Sequence, residues 1–136
     1  MALEWKDEYR TSVDEVDEQH RKLFAILNDL EKIVTQGIYG SPKVDNYLIS
    51  LAKDTRIHFS FEENCMRRYN CPVALANKES HEQFLYRFEN FQREYKAGGS
   101  NALLLKNLRE MAERWAIGHI CNIDIHLQSC VRKERK

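Results

Sequence analysis

A histidine and a glutamate stand four residues apart in a long amphipathic pattern, at positions where that pattern calls for leucine or isoleucine. His58 and Glu62 lie on one face of an α-helix, because residues i and i+4 stack one turn apart. Neighbouring residues continue this face in steps of three and four, which is typical of a helix packed on a core: Val44, Leu48, Leu51, Thr55 and Met66. A buried carboxylate is costly unless a cation or a metal compensates its charge. The stretch therefore predicts a core-facing helix that carries a paired carboxylate.

The same helical period recurs along the chain, and residues that favour loops (Gly, Pro, Ser and Asn) interrupt it. The pattern predicts an irregular arm over 1–16 and helices over about 17–36, 43–69, 75–95 and from about 101 to at least 127. Asp17 is the predicted N-cap of the first helix, with Ser12 and Asp14 as earlier candidates, and Gly37 is its predicted stop.

Short loops between the helices imply that consecutive helices run antiparallel. The predicted fold class is therefore all-α: an antiparallel up-down-up-down four-helix bundle with an N-terminal arm. We expect one domain over 1–136, with the bundle over 17–130 and a charged tail over 131–136. The tail carries no stop signal, which favours a helix that leads into an output domain of a longer parent chain.

The charge balance argues against several classes of partner. The chain has 21 basic and 21 acidic residues, so it lacks the positive footprint of a protein that binds nucleic acid or an anionic membrane surface. It has no apolar run long enough to span a bilayer, and its first residues lack the pattern of a signal peptide. We therefore expect a cytoplasmic protein with neither a nucleic-acid nor a membrane partner.

Four cysteines show neither a CxxC motif nor a dense framework: Cys65, Cys71, Cys121 and Cys130. In a reducing compartment this pattern predicts four free thiols, packed mostly as small hydrophobic side chains.

In an up-down-up-down bundle, the start of the first helix, the end of the second, the start of the third and the end of the fourth meet at one end. With a rise of about 1.5 Å per residue, six polar residues fall within a few turns of one level. They are His20, His58, Glu62, His81, His119 and Asp124. A single histidine on an apolar face is usually a hydrogen-bonded core residue. Four imidazoles and two carboxylates in one dry layer are better explained by a multivalent cation.

The types of donor narrow the choice of metal. Imidazole and carboxylate without thiolate suit iron, zinc or manganese, and six ligands are too many for one tetrahedral zinc. They suit two metals bridged by carboxylates. The Glu-x-x-His motifs of ferritin-like di-iron bundles are absent, and Leu85 replaces the second histidine of an HExxH motif that begins at His81. The substitution at Leu85 argues against a zincin protease. A nitrogen-rich site with two bridging carboxylates favours reversible dioxygen binding over carboxylate-driven oxidation.

These motifs together resemble a bacterial hemerythrin domain. The resemblance extends over essentially the whole chain and rests on four segments: Trp5 with Asp17-Glu18-Gln19-His20 and Leu23, His58-Phe59-x-x-Glu62-Glu63-x-x-Met66, Tyr69-x-x-Pro72, and Trp115-x-x-x-His119-Ile120-x-x-x-Asp124. It implies a non-haem di-iron centre with an oxo or hydroxo bridge, in which the Glu62 and Asp124 carboxylates bridge both irons. It also implies that His20 and His58 bind one iron, and that His81 and His119 bind the other. On an ideal helix Asp124 lies well off the His119 face, so we expect a π-bulge or two different side-chain reaches there.

One position departs from the family pattern. Hemerythrins usually have a histidine one turn before the residue equivalent to His81, and this chain has Asn77 there. Asn is a poor iron ligand compared with imidazole. We hypothesise that both irons keep an open or solvent-filled position, so that the site oxidises readily. The alternative is that Asn77 binds weakly through its side-chain oxygen and changes little.

The resemblance suggests a non-enzymatic function. The favoured hypothesis is the sensory domain of a bacterial signalling protein, which responds to dioxygen or to redox state through a fused or associated output domain. The alternative is a stand-alone oxygen carrier or store. Dioxygen, or a small anion such as azide, is the expected ligand. An enzyme that reduces nitric oxide or peroxide ranks last, because no general acid or base is visible beyond the ligands.

Overall fold

The computed structural model describes residues 3–37, 42–98 and 102–134. The described chain forms five helices: α1 (Asp14–Gln36), α2 (Pro42–Arg68), α3 (Ala74–Gly98), α4 (Ala102–Asn122) and α5 (Leu127–Glu134). The described part of the chain contains no strand. The predicted loops around 38–41 and 99–101 and the last two residues of the tail lie outside the described residues.

The first four helices form the predicted all-α bundle. Helix α1 packs on α2 and α4, and α3 packs on the same two helices, which closes the ring of a four-helix bundle. Cross-helix contacts run in opposite directions on neighbouring helices. On α2 and α3, Glu62 contacts His81, whereas the earlier residue Asp45 accepts a hydrogen bond from the later residue Tyr95. On α1 and α2, His20 contacts Glu62, whereas the later residue Ile26 accepts a hydrogen bond from the earlier residue Tyr47. Neighbouring helices are therefore antiparallel, as the short loops predict.

The first helix begins three residues before the predicted start. Val13 occupies the N-cap position in an extended conformation, and no side chain caps the helix there. Asp17, the predicted cap, lies inside α1, where its carboxylate accepts hydrogen bonds from the backbone N–H (3.0 Å) and the hydroxyl (2.9 Å) of Thr11. The prediction was wrong because the Asp17 carboxylate accepts hydrogen bonds from Thr11 in the preceding arm and does not cap the start of the helix. The prediction for Gly37 is confirmed: it ends α1 with a left-handed φ of 68°.

The fourth helix is shorter than predicted. It ends at Asn122, where Ile123 leaves helical geometry (φ −122°, ψ −60°), and a short 3-10 turn over Asp124–His126 leads into α5. The break re-aims the backbone just before Asp124, whose side chain is fully buried. The sequence-based expectation was a π-bulge or two different side-chain reaches; the structure instead changes the direction of the chain at Ile123, which turns a residue off the His119 face into the bundle.

Two apolar clusters lie on either side of the polar layer. The larger one fills the body of the bundle with residues such as Leu27, Phe88 and Leu105. The smaller one closes the end of the bundle: Val16, Met66, Cys71, Leu127, Cys130 and Val131. The buried polar residues between these clusters are therefore shielded from water on both sides.

The N-terminal arm packs along α1, against the larger cluster. It contains a 3-10 turn over Asp7–Tyr9, so the prediction of a wholly irregular arm is corrected there. Trp5 and Tyr9 pack against Phe24, with ring centroids 5.9 and 5.8 Å from that ring, and Trp5 also approaches the imidazole of His20.

The prediction of four free thiols was wrong for one pair. Cys71 and Cys130 form a disulfide, whereas Cys65 and Cys121 are free and half-buried. The turn between α2 and α3 and the added helix α5 meet at the end of the bundle, which brings the two Cα atoms to 5.4 Å. Sequence spacing does not show this pairing, because it depends on the return of α5 after the break in α4.

Within residues 3–37, 42–98 and 102–134, no helix combines the length and the apolar character that crossing a bilayer requires.

Candidate metal centre

All six predicted ligands lie together in the buried layer of the bundle. Each of the four long helices contributes a histidine, α2 adds a glutamate, and the turn after α4 adds an aspartate. Each of the six residues is at most 5% exposed: His20, His58, Glu62, His81, His119 and Asp124. The topology thus brings residues that are up to 104 positions apart in the chain, from 20 to 124, into one cluster.

Glu62 lies at the centre of this cluster, and its two oxygens face different histidines. Oε2 lies 3.0 Å from Nε2 of His20 and 3.4 Å from Nε2 of His58. Oε1 lies 3.1 Å from Nε2 of His81 and 3.3 Å from Nε2 of His119. The carboxylate therefore divides the histidines into two pairs, with one oxygen turned toward each.

Asp124 also approaches one histidine of each pair. Its Oδ2 lies 3.0 Å from Nε2 of His20, and its Oδ1 lies 2.9 Å from Nε2 of His119. Although these are ion-pair distances, neither oxygen has a hydrogen bond of acceptable geometry. A fully buried carboxylate whose two oxygens lie close to histidines without forming hydrogen bonds fits a site built around a shared cation.

Three of the four histidines are oriented by a partner outside the cluster. Their Nδ1 atoms face oxygens on neighbouring side chains, which leaves each Nε2 atom directed into the cluster. The pairs are His58 with Gln19 (2.6 Å), His81 with Glu63 (3.1 Å) and His119 with Ser80 (2.8 Å). This arrangement is typical of histidines that bind metals through Nε2.

The two Nε2 atoms of His81 and His119 lie only 3.0 Å apart. Their Nδ1 atoms face Glu63 and Ser80, so both Nε2 atoms are directed into the cluster. Two unprotonated nitrogens at that distance would repel, so the contact needs a proton on one of them or a metal ion beside both. The contact therefore marks a place that holds positive charge, as protons in the metal-free cluster or as metal ions.

Without metal, the charges of the cluster shift its proton affinities. Burial acts to lower the pKa of His20, but the Asp124 and Glu62 carboxylates outweigh burial and raise it to about 10. The same opposing causes raise the pKa of His119 to about 9. Burial acts to raise the pKa of Glu62, yet its hydrogen bonds with four histidines hold it well below the usual range. The metal-free cluster therefore stores protons that a metal ion would displace.

Two groups of donor atoms could each hold one metal ion. In both groups the ligand atoms lie within 4.8 Å of one another: His20, His58 and Glu62 form one, and Glu62, His81 and His119 form the other. Because Glu62 belongs to both, the geometry fits two neighbouring ions that share a carboxylate.

Asn77 lies beside this layer, one turn before His81 on α3. It is fully buried, and neither atom of its side-chain amide has a hydrogen-bond partner among the described residues. An amide that is buried and unpaired on both atoms is costly, so its position has a structural or functional reason.

Three outer residues were not predicted as part of the site: Gln19, Glu63 and Ser80. Glu63 was expected to face solvent, but its side chain is only 25% exposed and contacts His81. A usable signal was present, because each of the three is adjacent in sequence to a predicted ligand. Adjacent helical positions are separated by about 100° around the axis, enough for one residue to enter the core while the next faces the neighbouring helix.

Comparison with known proteins agrees with this geometry. The model of the hemerythrin HHE cation binding domain family matches residues 11–129. The bacteriohemerythrin of Stenotrophomonas maltophilia (strain R551-3) is 31% identical over 118 residues, which cover 87% of this chain and 74% of that protein. The bacteriohemerythrin of Pseudomonas aeruginosa (strain LESB58) is 29% identical over 130 residues, which cover 96% of this chain and 82% of that protein.

A crystal structure of wild-type hemerythrin has the same fold. It superposes with a TM-score of 0.80 over 96% of this chain and 98% of the other, at 21% sequence identity. In this chain, the buried polar layer and the unpaired oxygens of Asp124 fit a pair of metal ions. The chain therefore belongs to the hemerythrin family, which binds dioxygen at a di-iron site, and its cofactor is a pair of iron ions.

Proposed function

We propose that His20 and His58 bind one iron, that His81 and His119 bind the other, and that Glu62 and Asp124 bridge the two. The observation that carries this assignment is the 3.0 Å approach of the His81 and His119 Nε2 atoms, whose Nδ1 atoms face Glu63 and Ser80. The two oxygens of each carboxylate face different histidine pairs, which is the arrangement that a bridging carboxylate needs.

The proposed activity is binding of dioxygen, or of a small anion such as azide, at this iron pair. The irons supply the electrons and the Lewis acidity for that binding. The chain supplies three things: imidazoles held in one orientation by Nδ1 partners, a carboxylate pair that balances the cationic charge, and apolar clusters that exclude water. Exclusion of water strengthens each electrostatic contact inside the layer.

We further propose that the centre responds to redox state. Asn77 stands where the family has an additional histidine, and its unpaired amide contributes no imidazole to the iron held by His81 and His119. With fewer nitrogen ligands from the chain, an iron bound there would keep a position for solvent, and its oxidised state would be reached readily. This property suits a sensor better than a long-lived oxygen store.

The position of Asp124 supports a sensory role. It lies in the turn that joins α4 to α5, and α5 leads toward the charged tail. A change in the distance between the two irons, or in their ligands, would pull on this turn and shift α5 relative to the bundle. An output domain attached after α5, or associated with it, would receive that shift directly.

The test is to load the protein with ferrous iron without air, expose it to dioxygen and record its absorption spectrum over time, then add azide to the oxidised form. We expect a dioxygen-dependent spectrum that is reversed by removal of dioxygen, decays within minutes, and changes again with azide. A spectrum that persists for hours would favour a stand-alone carrier or store. The absence of any dioxygen-dependent change would contradict the proposed activity.

A further inference from the structure

A narrow void lies next to the candidate metal centre, deeper in the bundle. Its walls are mostly apolar: Leu23, Leu27, Thr55, Phe84, Ala112, Trp115 and Ala116. Each of the four long helices contributes one of these residues three positions from its own candidate ligand: Leu23, Thr55, Phe84 and Ala116. Three residues correspond to about 4.5 Å along a helix, so the void begins directly beside the metal layer on all four sides.

A groove on the surface leads to the same place from outside. It lies between α1 and α2, has a volume of about 170 Å³, and reaches the edge of His58. Three of its lining residues are exposed (Lys22, Asp54 and Ile57), two are half-buried (Gln19 and Ile26) and three are buried (Leu23, Thr55 and His58). The groove thus extends from the surface to buried residues that include His58.

Leu23 and Thr55 line both the groove and the void. They are buried, at 8% and 3% exposure, and they form the partition between solvent and the interior. The void is too narrow to admit a water molecule in this conformation, so a ligand that passes between them must displace their side chains.

The side chain of Thr55 is suited to such a displacement. Its buried hydroxyl has no hydrogen-bond partner in the described part of the chain. By contrast, the hydroxyl of Thr35 on α1 is held by the carbonyl of Glu31 at 3.0 Å. Threonine in a helix can occupy two χ1 rotamers, and without a hydrogen bond neither one is locked at Thr55.

We propose that dioxygen reaches the di-iron centre through the groove between α1 and α2, and that Leu23 and Thr55 form the gate on this route. The inference rests on the proposed dioxygen binding. A gate alters the free-energy barrier that the ligand crosses but not the free energies of the bound and unbound protein. A change in the gate therefore changes the association and dissociation rates by the same factor.

The test measures azide association and dissociation by stopped flow on the di-iron protein. We expect Leu23→Ala to accelerate both rates about tenfold with an unchanged dissociation constant, because a side chain that must move has been removed. Leu23→Phe is expected to slow both rates. Leu30→Ala is the matched control: the same deletion on the same helix, at a fully buried position that lines neither the groove nor the void.

A second readout needs no iron. Trp115 lines the void, and the chain has two tryptophans, so in a Trp5→Phe background its fluorescence reports on the interior. In protein loaded with zinc, we expect dioxygen to quench Trp115 more strongly in Leu23→Ala than in Leu30→Ala.

The outcomes separate the two proposals. Wild-type protein that fails to bind azide would contradict the proposed function. Wild-type protein that binds azide, with rates and quenching in Leu23→Ala equal to those in Leu30→Ala, would overturn the access route alone.

Discussion

The orientation of the candidate ligands depends on single side chains outside the metal layer. Each of the Nδ1 contacts from Gln19, Glu63 and Ser80 fixes the rotation of an imidazole ring. Removal of such an outer contact typically lowers the affinity for the metal by about 10- to 100-fold.

Glu63→Gln tests this at His81. The amide oxygen still accepts the Nδ1 hydrogen bond, but the negative charge that makes the imidazole a stronger donor to a metal is lost. We expect iron to be lost to a chelator about tenfold faster than from the wild type. Glu82→Gln is the control, because Glu82 also adjoins His81 and is exposed. Equal iron loss from the two variants would show that Glu63 does not support the site.

Asn77 allows a test of the incomplete ligand set. Asn77→His restores an imidazole at the family position, and we expect it to prolong the lifetime of the dioxygen complex. Asn77→Leu removes the unpaired amide at similar size, so we expect it to raise the thermal midpoint without any loss of iron. A loss of iron in Asn77→Leu would show that the Asn77 oxygen is itself a ligand.

The pH dependence of the metal-free protein follows from the raised pKa values of His20 and His119. Both rise from 6.5, to about 10 and about 9 respectively, so their stabilisation is complete below pH 6.5 and is lost as the pH rises through 9 to 10. We expect the thermal midpoint of metal-free protein to fall between pH 7 and 10. Iron takes the place of these protons, so the loaded protein should lack this fall. A flat profile for the metal-free protein would refute the protonated cluster.

At the scale of elements, the end of the bundle is where the structure departs most from the sequence-based prediction. The apolar pattern of α4 continues past residue 122 without Gly or Pro, so it predicts an unbroken helix. The break at Ile123 is a tertiary effect, because it allows Asp124 to enter the polar layer. The return of α5 after this break then produces the Cys71–Cys130 pair, which no local pattern contains.

The disulfide should stabilise the fold by holding α5 against the bundle. It links residues 59 positions apart, and the chain-entropy model gives about 4 kcal/mol for a loop of that size. We expect the double substitution Cys71→Ser and Cys130→Ser to lower the free energy of unfolding by about that amount in urea titrations. Substituting the free cysteines, Cys65→Ser with Cys121→Ser, is the matched control and should change it much less. Equal losses in the two double variants would contradict a structural role for the bridge.

At the scale of the whole molecule, the sequence predicts the bundle and the convergence of the six donors. Both depend on helical periodicity and on the up-down order of the helices, which a single sequence carries. It does not predict which residues hold the histidine rings, because Glu63 and Ser80 contact them across helix interfaces. Those contacts depend on how the helices are rotated against one another, which the hydrophobic pattern constrains only loosely.

The central claim is that donors from all four long helices and from the turn after α4 hold a pair of iron ions. The most direct measurement is the iron content per chain after ferrous iron is loaded without air and loosely bound metal is removed. The account predicts two irons per chain, retained through gel filtration. A stable content of one iron or none would contradict it.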